Sequence, residues 1–408
     1  MRPGRVGAKM KPPANPKMRL LLATFSFPPN KDGVAEASAA CAQALRAHGW
    51  AVDVATAGPA SMAPCAEGQG MTLHHFDIAG TGHVRHPFQG QLALYRQFLL
   101  SGCWDIIFFE GYSWPLTLAV PLFDQISARK VVVSHGYGAL VWTPVPRFPF
   151  GLGALTFSVI QSLKMLHWIR KVDRWVFLSP RADLCSFYDH WLGQKIHHPG
   201  IRVIPNGLNP NQRGTGSRFR EACGIPAHVL VFLCVGYFSR GKNQRLALEA
   251  YRDAAVPNSR LVFIAPESNE WMDKCRDVAR HVPWSAAHRG VIWLTGQSRE
   301  STLDAFAGCD IYLSASTGET QPITLLEAMR EAKPWIAMKA GCIPELPGGR
   351  CVASRHAMVR TIQRLASDRR LCAELGQSGR EAVASKYSAK NFEKAYGELV
   401  MSLVNQRS

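Results

Sequence analysis

The 408-residue chain lacks the features that would tie it to a metal finger, a disulfide framework or a membrane span. Its eleven cysteines are scattered and form no Cys-x-x-Cys pair. That removes both the metal-finger spacing and the dense pairing of small secreted scaffolds. A reducing, cytoplasmic setting is the expectation. No window offers the roughly 20 uninterrupted apolar residues of a membrane-spanning helix. The nearest approach, Gly151 to Trp168, is interrupted by Gln161 and Lys164. There is no Gly-x-Gly-x-x-Gly, no Walker-type loop and no nucleophile elbow. No Asp-x-Asp follows an apolar strand to hold a divalent metal, and no internal repeat is evident. Residues 1–17, basic and rich in proline and glycine, read as a flexible tail and not as a secretory signal.

Acidic residues are the scarce charge, 30 against 47 lysines and arginines, giving a net charge of +17. Such a surplus calls for an anionic partner: nucleic acid, lipid headgroups or a phosphorylated ligand. The bland alternative is that it merely solvates the surface. Nucleic acid is disfavoured, because no aromatic-basic platform or known binding module is present. The 47% hydrophobic content is that of a globular chain long enough for two or three domains.

Short β-rich runs alternate with helical patterns almost throughout, which predicts parallel sheets with crossover helices. The predicted strands of the first half are 20–24, 52–56, 106–109, 131–134, 175–178 and 203–204. Those of the second are 229–235, 261–264, 291–294, 311–313 and 335–337. The polar, glycine-rich stretch Asn206 to Gly216 reads as a linker. The expected architecture is α/β, with two doubly wound Rossmann-like domains facing across a cleft. The expected division is 18–207, 208–388, and a C-terminal helix within 389–408. That helix has one apolar face, formed by Phe392, Ala395, Leu399 and Leu403.

The richest segment is Ser314-Ala-Ser-Thr-Gly-Glu-Thr-Gln-Pro-Ile-Thr-Leu-Leu-Glu-Ala-Met329. It follows an apolar strand and runs into an amphipathic helix, with Pro322 suited to the first helical position. Glu319 falls in the loop at the strand's carboxyl end, where open α/β sheets bind ligands. Glu327 falls about one and a half turns into the helix. Between them, the N–H groups of Ile323, Thr324 and Leu325 form a helix N-terminus able to hold a phosphate. An anion cradle flanked by two hydroxyl-binding carboxylates matches the groups of a nucleotide diphosphate-sugar.

Other segments point toward the same cleft. After the strand ending at Val235 comes Gly236-Tyr-Phe-Ser-Arg-Gly-Lys-Asn243, where Arg240 and Lys242 are placed to neutralise a leaving diphosphate. The plain alternative there is a solvated helix start. Gly33, opening a helix after the strand 20–24, either serves a structural turn or lets a ligand approach the backbone. His135 follows a strand directly, placed to hydrogen-bond a sugar hydroxyl or to cap its turn. Glu110 is placed similarly, to orient an acceptor hydroxyl. His197-His198 lack carboxylates or cysteines at ligand spacing and are expected in solvent. The basic, apolar stretch 146–171 is either a membrane-interface element or a buried helix with a solvated end.

Together these segments resemble the retaining family-four glycosyltransferases of the GT-B fold, over about residues 18 to 400. The signature is Glu319-x7-Glu327 continuing into Ala328-Met329, Pro334-Trp-Ile-Ala337 and Gly341-Cys-Ile-Pro-Glu345. Val203-Ile-Pro-Asn-Gly207, Val235-Gly236 with Lys242-Asn243, and Cys309-Asp310 support it. The resemblance implies transfer of a hexose from UDP- or GDP-hexose to a glycan or lipid-linked acceptor. It implies retained anomeric configuration, front-face attack assisted by the leaving phosphate, and no metal or other cofactor. Glu319 and His135 would serve the donor sugar, and Glu327 the ribose. Lys242, Gly236, Arg240, Gln321, Ile323 and Thr324 would border the diphosphate, with Gly33 letting the first domain close on it. The C-terminal helix would cross back to the first domain. Relatives working on lipid-linked or surface glycans add an anionic membrane face, with peripheral attachment, as a candidate partner.

The chain departs from the pattern in three places. Tyr237 stands where an arginine is usual, and Asp32-Gly33 where a glycine pair is usual. Gln321-Pro322 replaces Phe-Gly, which removes one backbone donor. An inactive nucleotide-sugar-binding scaffold and a nucleotide-sugar epimerase are the competing readings.

Overall fold

The computed structural model describes residues 18–58, 65–67, 71–82, 86–137, 163–182, 187–209, 211–281 and 288–405. The tail and most of the 146–171 stretch lie outside these. The strands are β1 (Arg19–Thr24), β2 (Ala51–Ala57), β3 (Cys65–Glu67), β4 (Met71–Phe76), β5 (Ile78–Ala79), β6 (Gln89–Gly90), β7 (Ile106–Glu110), β8 (Arg129–Ser134), β9 (Arg174–Phe177) and β10 (Ile201–Val203). The second half adds β11 (Leu230–Val235), β12 (Ser259–Ala265), β13 (His288–Thr295), β14 (Ile311–Ser314), β15 (Trp335–Met338) and β16 (Gly349–Val352).

They build two main sheets, ordered 10-9-8-7-1-2-4-3 and 13-12-11-14-15-16. Every described pair in them is parallel except β3 against β4. Continuous apolar runs such as Ile106-Ile-Phe-Phe109 and Val131-Val-Val133 are buried along their whole length, as strands covered on both faces must be. Five strands were not foreseen. β16 is an edge strand with Arg350 and Cys351 exposed, so it lacks an apolar pattern, and β4 carries His74-His75 in its middle. β3 and the β5–β6 pair are two or three residues long.

Register sets where the loops emerge. Thr24 pairs with Glu110, and Glu110 with Val133, so β1, β7 and β8 release their chains along one edge of the first sheet. In the second sheet Leu233 pairs with Tyr312, bringing Gly236 and Ser314 out side by side. The two carboxyl edges face each other.

The helix Ala389–Val404 buries Phe392, Tyr396, Leu399, Val400 and Leu403 against Leu20, Leu22, Val52 and Phe108 of the first sheet. The connection reaching it, Tyr387–Ala389, lies beside the outgoing crossing: Leu208 N–H donates to the Tyr387 carbonyl and Ala389 N–H to that of Leu208, each at 2.8 Å.

One sequence expectation needs correction, and one open alternative is narrowed. His198 is buried: Nε2 lies 3.1 Å from the Ile169 and Val172 carbonyls, and Nδ1 accepts from Gly200 N–H. Only His197 is exposed. Within 146–171, the described helical turns at 163–169 bury Met165, Trp168 and Ile169 in the first core, while Leu163 and Lys164 are exposed. Among the described residues no helix is long and apolar enough to cross a membrane.

Candidate active site

A cavity of about 870 Å³ lies between the two carboxyl edges, and both halves of the chain line it. From the second sheet come Gly236, Tyr237, Lys242, Glu319, Gln321, Ile323, Thr324 and Glu327; from the first come Lys31, Asp32, Gly33, Glu36 and His135. Its volume suits a ligand of drug size or somewhat larger.

The Glu319 loop is fixed from three sides. Thr317 N–H donates to the Gly241 carbonyl at 2.8 Å and Cys342 N–H to that of Thr320 at 3.0 Å. The Thr320 hydroxyl donates across the cleft to the His135 carbonyl. Asn206, where the chain passes between halves, donates its N–H to Gln321 Oε1 at 2.6 Å and its Nδ2 to the Gln321 carbonyl at 3.3 Å. So held, Glu319 meets Lys242: Nζ to Oε1 is 2.5 Å. One cation thus bridges the two loops at the strand ends.

The helix begins at Ile323, with Pro322 as its extended cap and not its first residue. Ile323 and Thr324 line the cavity; Leu325 does not, and its N–H is spent on the Pro322 carbonyl at 3.1 Å. The anion cradle is therefore narrower than three consecutive N–H groups. Gly236 has φ +150 with open space where a side chain would stand, so a phosphate can approach its backbone closely. Arg240 is exposed and is not among the cavity-lining residues, whereas Tyr237 is.

Glu327 is 1% exposed, and burial pushes its carboxyl above the ordinary range, opposed by Arg299 and then Arg330. The Arg299 guanidinium forms an ion pair with it. Sequence reasoning missed Arg299. The available signal was its position just after the N-cap Ser298, where the helix dipole disfavours a cation.

On the first side, Asp32 caps the Gly33–Ala47 helix, accepting from Val34 and Ala35 N–H at 2.8 and 2.9 Å. That accounts for an aspartate in place of a glycine: it closes the helix start and uses two of the donors a phosphate would want. Glu110 is 2% exposed, does not line the cavity, and holds His135 Nε2 through its Oε2 at 2.6 Å. It is placed to orient that histidine, not an acceptor hydroxyl.

Below the His135 turn, Asp189 is fully buried and accepts from the Ser134 hydroxyl and, at 2.5 Å, from Tyr112. Burial lifts its pKa from 3.8 to about 6. An acid raised in this way stabilises the fold fully below 3.8 and loses that contribution as pH rises through 6. At ~1.36 kcal/mol per pH unit, ionisation costs roughly 3 kcal/mol at neutral pH. Asp189→Asn is therefore expected to gain Tm relative to the natural protein as pH rises from 4 to 6.5. Parallel melting curves across that range would refute the assignment.

Two parallel-sheet lobes facing over such a cavity define the GT-B arrangement. The family "Glycosyl transferases group 1" matches residues 229–368, the segment carrying Gly236, Lys242, Glu319 and Glu327. Sucrose-phosphate synthase from Thermosynechococcus elongatus has the same fold, with TM-score 0.76 at 17% identity, covering 96% of this chain and 100% of that one. HepE of Anabaena, solved with UDP-glucose, gives 0.70 at 17% identity, covering 94% and 100%. The trehalose 6-phosphate synthase of Burkholderia multivorans gives 0.69 at 14%, covering 96% and 100%. No curated protein matches the sequence.

Proposed function

We propose that the chain transfers a hexosyl group from a nucleoside diphosphate sugar to a hydroxyl of a glycan or lipid-linked acceptor, with retained anomeric configuration and without a divalent metal. In this reading 18–207 carries the acceptor and 208–388 the donor. The observation that carries it is the convergence in one cavity of Lys242, the helix entrance at Ile323-Thr324, and the carboxylates Glu319 and Glu327. Lys242 and the helix entrance offset charge on the departing diphosphate, Glu327 accepts from ribose hydroxyls, and Glu319 lies beside the sugar. The C1–O bond to phosphate breaks as the acceptor oxygen bonds C1 from the same face, and the acceptor proton passes to the leaving phosphate. His135, oriented by Glu110, hydrogen-bonds the sugar.

HepE was solved with UDP-glucose, so uridine donors come first in any screen and guanosine donors second. The test is thermal shift with UDP, GDP and their hexose conjugates, because a ligand bound to the native state raises Tm by mass action. A rise of several degrees with one nucleotide series is expected; no rise with any of them refutes the reading. The absence of a cavity-lining arginine beside Gly236 favours one alternative, a binding scaffold without turnover. Slow hydrolysis of the bound donor to hexose and nucleotide would exclude it.

A further inference from the structure

Arg299 is an unusual first residue for a helix, since a cation there opposes the dipole. Its surroundings explain its presence. It forms an ion pair with buried Glu327, and its Nε stands 4.0 Å from Glu36 Oε1 on the Gly33–Ala47 helix of the facing lobe. All three residues line the cavity. Arg330, one turn along from Glu327, is 1% exposed and lies 3.4 Å from Glu331, which Arg213 also holds at 3.1 Å. The charged groups acting on Glu327 are thus Arg299, Arg330 and Glu36, and of the two cations only Arg299 borders the cavity.

We propose that Arg299 is a positioning residue for the donor: it holds the Glu327 carboxylate as a hydrogen-bond acceptor for the donor's ribose hydroxyls and links it to Glu36 across the cleft. This rests on the sugar-nucleotide reading of the cavity. A carboxylate this deeply buried keeps its charge only against a close cation. Once protonated it no longer offers two acceptor oxygens to a pair of hydroxyls. Glu36 makes the arrangement sensitive to lobe closure, since the facing helix must be near for the second contact to form.

The experiment is calorimetric binding of UDP-glucose and of GDP-mannose to the full chain at pH 6 and pH 8. The diphosphate diester charge of these probes is constant over that range. The natural protein is expected to bind one of them with similar affinity at both pH values. Arg299→Met is expected to weaken binding about tenfold, roughly 1.4 kcal/mol, at pH 8 and by a further several-fold at pH 6. Arg299→Lys is expected to restore the flat profile, because it returns the charge. Should Arg299→Met not fold, Arg299→Gln reads the same contrast. A neutral variant that binds as the natural protein does, or that loses affinity equally at both pH values, overturns the positioning role and leaves the transferase reading standing. Failure of the natural protein to bind either probe overturns that reading and this role with it.

Discussion

Lys242→Met is expected to lower sugar transfer about a hundred- to a thousand-fold while the protein stays folded. The size follows from the loss of a preorganised cation where charge develops on a leaving group. Lys242 stands at the carboxyl edge of the second sheet, its Nζ 2.5 Å from Glu319 Oε1, with 42% of its side chain exposed. A partly exposed pair of this kind contributes little to stability, so the effect falls on chemistry. Two losses add. The departing diphosphate loses that cation, and Arg240, two residues before it in the chain, does not line the cavity to replace it. The Glu319 carboxylate, no longer paired, then repels the same diphosphate. Lys242→Arg is expected to recover part of the rate, since it restores charge with a different reach. Initial rates of nucleotide release with and without acceptor, beside nucleotide affinity, provide the measurement. A fall in transfer of less than tenfold would remove Lys242 from the reaction.

Much of this site is written in local pattern, and it is the local part that sequence reasoning recovers. The apolar strand before Ser314 and the helix carrying Glu327 both form where periodicity places them. Lys242 and Glu319 meet because β11 and β14 are neighbours in register, a consequence of strand order that spacing alone does not reveal. What remained hidden depends on contacts between distant segments. Arg299 reaches Glu327 from a different helix, and Asn206 fixes Gln321 from the interlobe crossing. Glu110 and His135, read separately as two candidate groups, are one hydrogen-bonded unit because β7 and β8 are paired. Asp189 gave no signal at all, since a single aspartate at a helix start reads as solvated until the fold buries it. The edge strands failed for the opposite reason: β16 is half in water and carries no apolar alternation to detect.

Gly341→Ala is expected to disable the site without touching any group that would contact substrate. Gly341 has φ +47, in the left-handed region that glycine adopts without penalty and alanine does not. A Cβ there would overlap the backbone carbonyl of Glu319 and crowd that of Thr320. Neither neighbour is a flexible side chain that can swing aside. Cys342 N–H donates to the Thr320 carbonyl at 3.0 Å, and the Thr320 hydroxyl is bonded to the facing lobe. The loop must therefore retreat as a unit and carry the Glu319 carboxylate with it. A displacement of about 1 Å at a reacting centre costs on the order of a hundredfold in rate. The variant is thus expected to lose transfer by about that factor. Melting should fall by an amount consistent with ~1–3 kcal/mol of backbone strain. Nucleotide affinity is expected to change far less, because Glu327 and Arg299 lie on helices outside the displaced loop. The decisive contrast is rate against nucleotide affinity. If both fall together, the loop is not what Gly341 protects; if neither falls, the close approach to Glu319 has no part in holding the site.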